Sequence, residues 1–511
     1  MTSAPAGRED RAVPLAFAAL ALLVHLPALS RYDWFRDELY YVACSRHLAW
    51  GYVDHPPLSI ALLALWRFLF GDGLAVMRLA PALAHALTVL VVGRIARDLG
   101  GGRFAQALAC LAAVLAPGML GTASIYSMNA LDMLLWTLAL WAFVRALDGA
   151  RPVAWLALGL ALGLGLLDKI SVLWLGAGLF AGLLATSRRR LLATPWPWLA
   201  GALALALFAP HLVWQIEHGW PTLEFMRNAV LEKMVRTNPA EFLGTQAVMM
   251  GLPGALVGLS GLAWCLFGRR GREWRVLAVA WLVVLGILLA SPAARASYLI
   301  ASYGLLFATG GVALERLSHR PSRRWARPAL LALVVLLDLP LLPLALPVLS
   351  VPDFVAYTRA LRVGIKAEER SRPAELPQMY ADMFGWEEMA DRVGRVYRAL
   401  PEAERAKCGV FATNYGEAGA LDLFGPKYGL PPALSGHNSY WLWGPRGYTG
   451  EVMIVLGGSR EDHDRQFASV TLADSVRCEH CMPYERDRRI WVCRGLRVPL
   501  REVWPRVKEY I

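Results

Sequence analysis

Across its first 350 residues the chain repeatedly runs for fifteen or more residues with scarcely a charged side chain. A backbone placed in hydrocarbon must close its own hydrogen bonds, so segments of this kind fold as helices that cross a bilayer. The apolar cores lie at 13–29, 74–93, 104–121, 131–147, 153–167, 170–185, 196–213, 243–267, 276–291, 298–313 and 329–349. They predict a polytopic α-helical membrane protein with about 11 transmembrane helices. Leu58–Phe70 is too short to span and carries Arg67, so it is expected to lie at the outer interface or to dip in and return. A mean hydropathy of +0.41 with 18% charged residues fits the same class, because soluble domains carry nearer a quarter.

Basic side chains test the direction of these crossings. If the N-terminus is cytoplasmic, the inside loops hold Arg8 and Arg11; Arg94, Arg97 and Arg103; Arg145 and Arg151; Arg188 to Arg190; Arg269, Arg270, Arg272 and Arg275; and Arg316, Arg320, Arg323, Arg324 and Arg327. That is 19 of the 29 Lys and Arg residues before position 351, as the positive-inside tendency requires. No convincing small-residue cleavage site follows Leu29, and the first run reads as a retained anchor. An odd number of spans then places everything after residue 350 on the outer side.

The domains expected are therefore 1–350, membrane-embedded with an outer loop at 30–73, and 351–511, water-soluble. Residues 351–511 carry 23 basic against 22 acidic residues, so the formal charge of +12 belongs to the membrane half, and no nucleic-acid partner is implied. In the soluble part an amphipathic stretch at 379–400 precedes strand-like runs at 409–413, 452–456 and 490–493, with a short helix at 417–424. A C-terminal α/β domain follows. Cys408, Cys478, Cys481 and Cys493 fall within it. Disulfide pairing is one reading, and a zinc knuckle at Cys478-Glu-His-Cys481 is the other.

The densest chemistry sits in the first outer loop, Arg31-Tyr-Asp-Trp-Phe-Arg36-Asp37-Glu38 through Asp54-His55-Pro-Pro-Leu58. Adjacent carboxylates at a membrane surface repel one another and need a reason to be held together. Asp132 lies about one turn inside an otherwise apolar helix, where a carboxylate is costly enough to suggest function. Asp168 and Lys169 mark the outer end of a hairpin, and an ion pair between them is the simple reading. Arg295, followed by Tyr298, stands where the chain re-enters the membrane from outside, and arginine suits phosphate oxygens. Such groups at one membrane face suit transfer of a sugar from a lipid phosphate, with a carboxylate deprotonating the acceptor hydroxyl.

The pattern Arg36-Asp37-Glu38, then His55-Pro56-Pro57-Leu58, then Asn129-Ala-Leu-Asp132, resembles the GT-C superfamily of polyprenyl-phosphate-sugar glycosyltransferases. The likeness is greatest to glycosyltransferase family 39, the bacterial protein O-mannosyltransferases and lipid A aminoarabinose transferases, and extends to Pro210-His-Leu-Val-Trp-Gln215 through Pro221. It implies Asp37 as general base, Glu38 and Asp132 as further acids of the site, and Lys169 and Arg295 as contacts of the lipid phosphate. Arg36, His55 and Tyr298 would complete the substrate-binding set.

What the resemblance implies is an inverting transfer from a polyprenyl-phosphate sugar to a glycan, lipid or protein acceptor. The setting would be the bacterial cytoplasmic (inner) membrane, with a periplasmic C-terminal domain. No cofactor is expected, and no metal, although some relatives use a divalent ion. In the outer domain Gly416 and Gly419 around Glu417, with Trp441 and Trp443, are read as packing rather than as a sugar-binding loop. A secondary transporter or flippase of envelope precursors is the competing class; it would place polar groups near the midplane and show repeated halves. The charge asymmetry yields a direct check: a cysteine introduced at Ser322 is expected to react with an impermeant thiol reagent only from the cytoplasmic side. Labelling from outside would reverse the topology.

Overall fold

The computed structural model describes residues 11–147, 152–235, 238–291, 293–362 and 374–511; Arg8 and Arg151 lie outside them. It divides into two compact units. The first comprises Met1–Arg31, Ala75–Val213 and Arg236–Leu349, and the second Tyr32–Leu74, Trp214–Val235 and Ser350–Ile511. The loop after the first helix thus counts with the C-terminal residues, as does the segment that begins at Trp214.

Every one of the eleven apolar runs contains helix. Among the described residues six helical segments are long and apolar enough to cross a membrane, including Leu74–Asp98, Met128–Leu147 and Pro195–Glu217. A seventh is the pair Pro239–Met250 and Leu252–Phe267, which is bent by 109°. Runs 13–29, 104–121, 153–167 and 170–185 form the shorter helices Ala12–Ala28, Arg103–Leu115, Pro152–Asp168 and Val172–Leu184. Length and composition therefore support six or seven crossings, against the eleven expected.

The bend has a local cause. Gly251 has φ +76°, a conformation that side chains rarely adopt, and Asp338 occupies the space its Cβ would need. Continuous helix through 243–267, as expected, is excluded at that point. Large apolar side chains such as Leu160, Phe180, Leu205, Leu256 and Leu336 remain exposed, as they must on helices whose solvent is lipid.

The second unit holds a four-stranded sheet in the order β1-β2-β4-β3, with β1 Cys408–Phe411, β2 Val452–Leu456, β3 Phe467–Arg477 and β4 Asp487–Leu496. The β1–β2 pair is parallel, and β4 runs antiparallel to both β2 and β3. Three of these strands lie on the expected segments. The fourth, β3, escaped because it is an edge strand whose residues are largely exposed, leaving it little apolar content. Met453, Val455, Phe467, Val470, Trp491 and Cys493 form a core on one face with Leu434, Leu500 and Trp504. The expected stretch 379–400 is two helices, Gln378–Ala381 and Trp386–Ala399, with Gly385 in the left-handed region between them. Cys478 and Cys481 are joined in a disulfide, while Cys408 and Cys493 are free and buried.

Helix Tyr415–Phe424 starts where the Asn414 side chain accepts the Glu417 N–H. It packs against helix Arg36–Ser45. A Cβ at Gly419 would stand 2.7 Å from the backbone carbonyl carbon of Leu39. Glycine is therefore required for the two helices to approach, which fits the packing reading of Gly416 and Gly419. We expect Gly419→Ala to lower the apparent melting temperature in detergent, at an overpacking cost of about 1–3 kcal/mol. Gly244→Ala, which meets nothing within 4 Å, should leave it within error; equal effects of the two changes would refute the packing argument.

Candidate active site

In the first unit a polar cluster forms where helix Met128–Leu147 meets the turn between helices Pro152–Asp168 and Val172–Leu184. Asp132 is 3% exposed. Its two carboxylate oxygens accept from the Ser171 hydroxyl at 3.0 and 3.1 Å, and Lys169 Nζ lies 3.6 Å from Oδ2. Lys169 also donates to Asn129 Oδ1 at 2.7 Å and stands 5.3 Å from the centre of the Tyr298 ring. The Trp174 ring lies 5.8 Å from that of Tyr298, centre to centre.

An ion pair is present here, but its acid is Asp132. Asp168, the sequence neighbour of Lys169, is fully buried, and neither carboxylate oxygen has a hydrogen-bond partner among the described residues. Of the expected residues, Asp132, Lys169 and Tyr298 come together. Arg295 sits at the N-terminal end of the short helix Ala296–Ser302, on the same chain segment as Tyr298. Asn129 and Ser171 complete the cluster; Ser171 was missed because a lone serine two residues after Lys169 gives no signal in sequence.

The second unit gathers the loop that follows the first helix. Helix Arg36–Ser45 has Asp37 and Glu38 in its first turn, where the unpaired backbone N–H groups favour negative charge. That is the physical reason the adjacent acids are tolerated, and their side chains have different partners. Glu38 is wholly buried and accepts the Phe35 N–H at 2.9 Å, capping its own helix. Asp37 keeps 36% of its side chain exposed and accepts a hydrogen bond of 2.8 Å from the Tyr415 hydroxyl. The Arg36 Nε lies 3.7 Å from the same oxygen.

Arg36 is anchored elsewhere as well: its Nη1 donates to the Tyr484 hydroxyl at 2.9 Å and stands 3.7 Å from Asp382. Burial alone would lower its pKa, but Asp382, Tyr415, Tyr484 and Asp37 outweigh burial and raise it. Behind Asp37, Tyr40 donates to Asp54 at 2.8 Å, and Ser439 Oγ lies 2.7 Å from the same hydroxyl. His55 is buried, with Nε2 3.9 Å from Asp54. Burial holds the Asp54 carboxyl above the usual carboxylate range against the opposing pull of His55 and of the Tyr40 hydrogen bond. The Asp54–His55–Tyr40 group is therefore an interior polar knot, and Asp37 is its neighbour with an open face.

Glu417 has its own setting. Its carboxylate accepts from Thr413 N and Oγ1, both at 2.8 Å, and shares Arg488 with Glu485. Trp441 and Trp504 exchange hydrogen bonds from ring N–H to backbone carbonyl, and Trp443 stacks on His47. Both tryptophans are engaged in packing. Among the described residues no group of three or more His, Cys, Asp or Glu side chains is placed to hold a metal ion.

The fold, a helical unit in a chain that also bears a small mixed sheet, is shared with solved structures. ArnT from Cupriavidus metallidurans, solved with undecaprenyl phosphate, superposes over 94% of this chain and 97% of its own, with TM-score 0.62 and 16% identity. The archaeal oligosaccharyltransferase AglB from Archaeoglobus fulgidus matches 81% of this chain and 63% of its own, with TM-score 0.51 and 12% identity. Residues 54–214 match the family model described as dolichyl-phosphate-mannose-protein mannosyltransferase.

Among curated proteins, the undecaprenyl phosphate-alpha-4-amino-4-deoxy-L-arabinose arabinosyl transferase 2 of Pseudomonas fluorescens is 31% identical over 183 residues, 32% of this chain and 31% of that one. The corresponding transferase of Pseudomonas aeruginosa PA14 is 31% identical over 216 residues, 39% and 38% of the two chains. The matched region thus spans about a third of the length of these curated relatives. The expected resemblance to protein O-mannosyltransferases and to aminoarabinose transferases is met over this part of the chain.

Burial and the nearby Glu485 push the Glu417 carboxyl up to about 7, against the opposing pull of Arg488. An unfolded glutamic acid releases its proton near pH 4.3. Between that pH and about 7 this group binds more protons in the folded chain than in the unfolded one, so its stabilisation is full below the unfolded pKa and is lost as pH rises through the folded one. We expect apparent melting temperature to fall between pH 5 and 7.5, and Glu417→Gln to flatten that fall while Arg488 keeps Glu485 as partner. Parallel profiles for the two proteins would rule out Glu417 as the titrating group.

Proposed function

We propose that this protein is an inverting glycosyltransferase. It moves a sugar from a polyprenyl-phosphate donor to an envelope acceptor, which is a glycolipid, a polysaccharide or a protein, at the outer face of a bacterial cytoplasmic membrane. The eleven helical runs then cross the bilayer from a cytoplasmic N-terminus, the short ones tilted little and the bent pair counted once, and residues 351–511 are periplasmic. The observation that carries the reading is the buried Asp132–Lys169 pair, because a chain does not keep such a group among apolar helices without a use for it. The family-model match over 54–214, which includes Asp132 and Lys169, supports it. The names of the relatives point to undecaprenyl phosphate as the carrier and to an aminoarabinose-type sugar as the first donor to try.

In this reading Asp37 is the general base. Its carboxylate takes the proton of the acceptor hydroxyl as that oxygen attacks the anomeric carbon, and the bond from that carbon to the phosphate oxygen breaks. Tyr415 and Arg36 hold the carboxylate in position. The lipid phosphate leaves as an anion, met by Lys169 and Arg295. Asp132 and Asn129 aim the ammonium of Lys169, and Tyr298 supplies a ring beneath it. Glu38 serves the site by capping the helix that presents Asp37 rather than by moving a proton, and His55 supports the loop from below. Inversion follows from a single displacement.

The test uses membranes carrying the full chain and undecaprenyl-phosphate-linked 4-amino-4-deoxy-L-arabinose as donor, with envelope glycolipids read by mass spectrometry. Asp37→Asn is expected to stay folded and to lose roughly 10²–10⁴-fold in rate, the usual contribution of a general base. Lys169→Gln should weaken use of the donor. Full activity of the Asn variant would remove Asp37 from this role, and absence of any new glycoconjugate with a panel of lipid-linked sugars would remove the transferase assignment itself.

A further inference from the structure

Arg11, Arg94, Arg97 and Arg145 do more than satisfy a topology rule. Together with Pro14 and Trp141 they line one cavity of about 320 Å³ in the first unit, at the lower end of the roughly 300–1,000 Å³ usual for small-molecule sites. The positive-inside tendency accounts for arginines in these loops. It gives no reason for four of them, drawn from three separate stretches of sequence, to converge on one concavity, where like charges repel.

The wall is also built. The guanidinium carbons of Arg94 and Arg145 stand 5.7 and 5.5 Å from the centre of the Trp141 ring. The indole N–H of Trp141 donates to Asp98 Oδ2 at 2.9 Å, and Arg97 pairs with the other oxygen of Asp98 at 3.2 Å. Asp98 thus fixes both the ring and one arginine, and among the described residues it is the only acid paired with any of the four. Among the described lining residues, positive charge is in excess. Guanidinium groups in such an array match phosphate oxygens, which accept two N–H bonds from one fork. The mouth lies among loops expected at the cytoplasmic leaflet, where anionic lipids are enriched.

We propose that this cavity binds the phosphate group of an anionic ligand, carried either by a phospholipid headgroup or as free phosphate. It is a site separate from Asp132 and Lys169 and takes no part in the transfer chemistry proposed above.

Native mass spectrometry of the full chain in neutral detergent, given phosphatidylglycerol or phosphatidylcholine, tests the lipid source. At least fivefold preference for phosphatidylglycerol is expected, lost in Arg94→Gln/Arg145→Gln and kept in Arg188→Gln/Arg190→Gln, which neutralises a basic loop outside the cavity. In lipid-free detergent, millimolar inorganic phosphate that raises the apparent melting temperature of the wild type and not of the double cavity variant would identify free phosphate as the source. If neither probe distinguishes wild type from the cavity variant, or if the control variant loses as much, the proposal fails. Should the cavity variant misfold, phosphatidylglycerol with a photoreactive headgroup decides on the wild type. Adducts within 94–97 and 141–145 support the site, and adducts elsewhere alone overturn it.

Discussion

A carboxylate held among apolar helices is costly, and the way Asp132 is satisfied organises the first unit around it. Its partners come from a single turn of chain, Lys169 and Ser171, which joins helices Pro152–Asp168 and Val172–Leu184. That turn therefore has to sit at the level of Asp132 on helix Met128–Leu147, so the hairpin is fixed lengthwise against its neighbour. Removing one partner would strand a buried charge, a loss of about 3–5 kcal/mol in comparable pairs. Asn129 and Tyr298 then hold the ammonium from two further directions. The consequence is a lysine whose position is determined by three other side chains, which is the condition for a cation to recognise an anion with any selectivity.

Much of this was legible in the sequence, and the parts that were not share a physical cause. Long uncharged runs gave helices because hydrocarbon permits little else. Asp132, Lys169 and Tyr298 stood out because each is expensive or unusual where it lies. The partner of Lys169 differs from the expected one: Asp168 is adjacent in sequence but ends its helix wholly buried, and the acid that meets the lysine is 37 positions away. The bend at Gly251 rests on a left-handed glycine whose missing side chain leaves room for Asp338, a neighbour that no local pattern reveals. Strand β3 is polar on much of its surface because it lies at the sheet edge, and hydrophobic alternation had little to register. The glycines at 416 and 419 were visible as a pattern, yet only the arrival of helix Arg36–Ser45 against them explains why no side chain is tolerated.

The pair Asp37–Glu38 shows how one structural rule separates two chemically equivalent neighbours. Both lie in the first turn of a helix, where the electrostatics favour an acid at either position. Successive residues on a helix diverge by about 100°, so only one can turn back to the helix start while the other points away. Glu38 takes the inward direction and spends its carboxylate on the Phe35 N–H, with no exposed surface left to meet a substrate. Asp37 takes the outward one, bounded by Tyr415 and Arg36 and more than a third exposed. A general base needs a lone pair within hydrogen-bond reach of the hydroxyl it deprotonates. Of the two, only Asp37 can offer one without dismantling the helix that carries it. The sequence motif Arg36-Asp37-Glu38 thus sets a part-exposed carboxylate beside its arginine and a buried one that caps the helix.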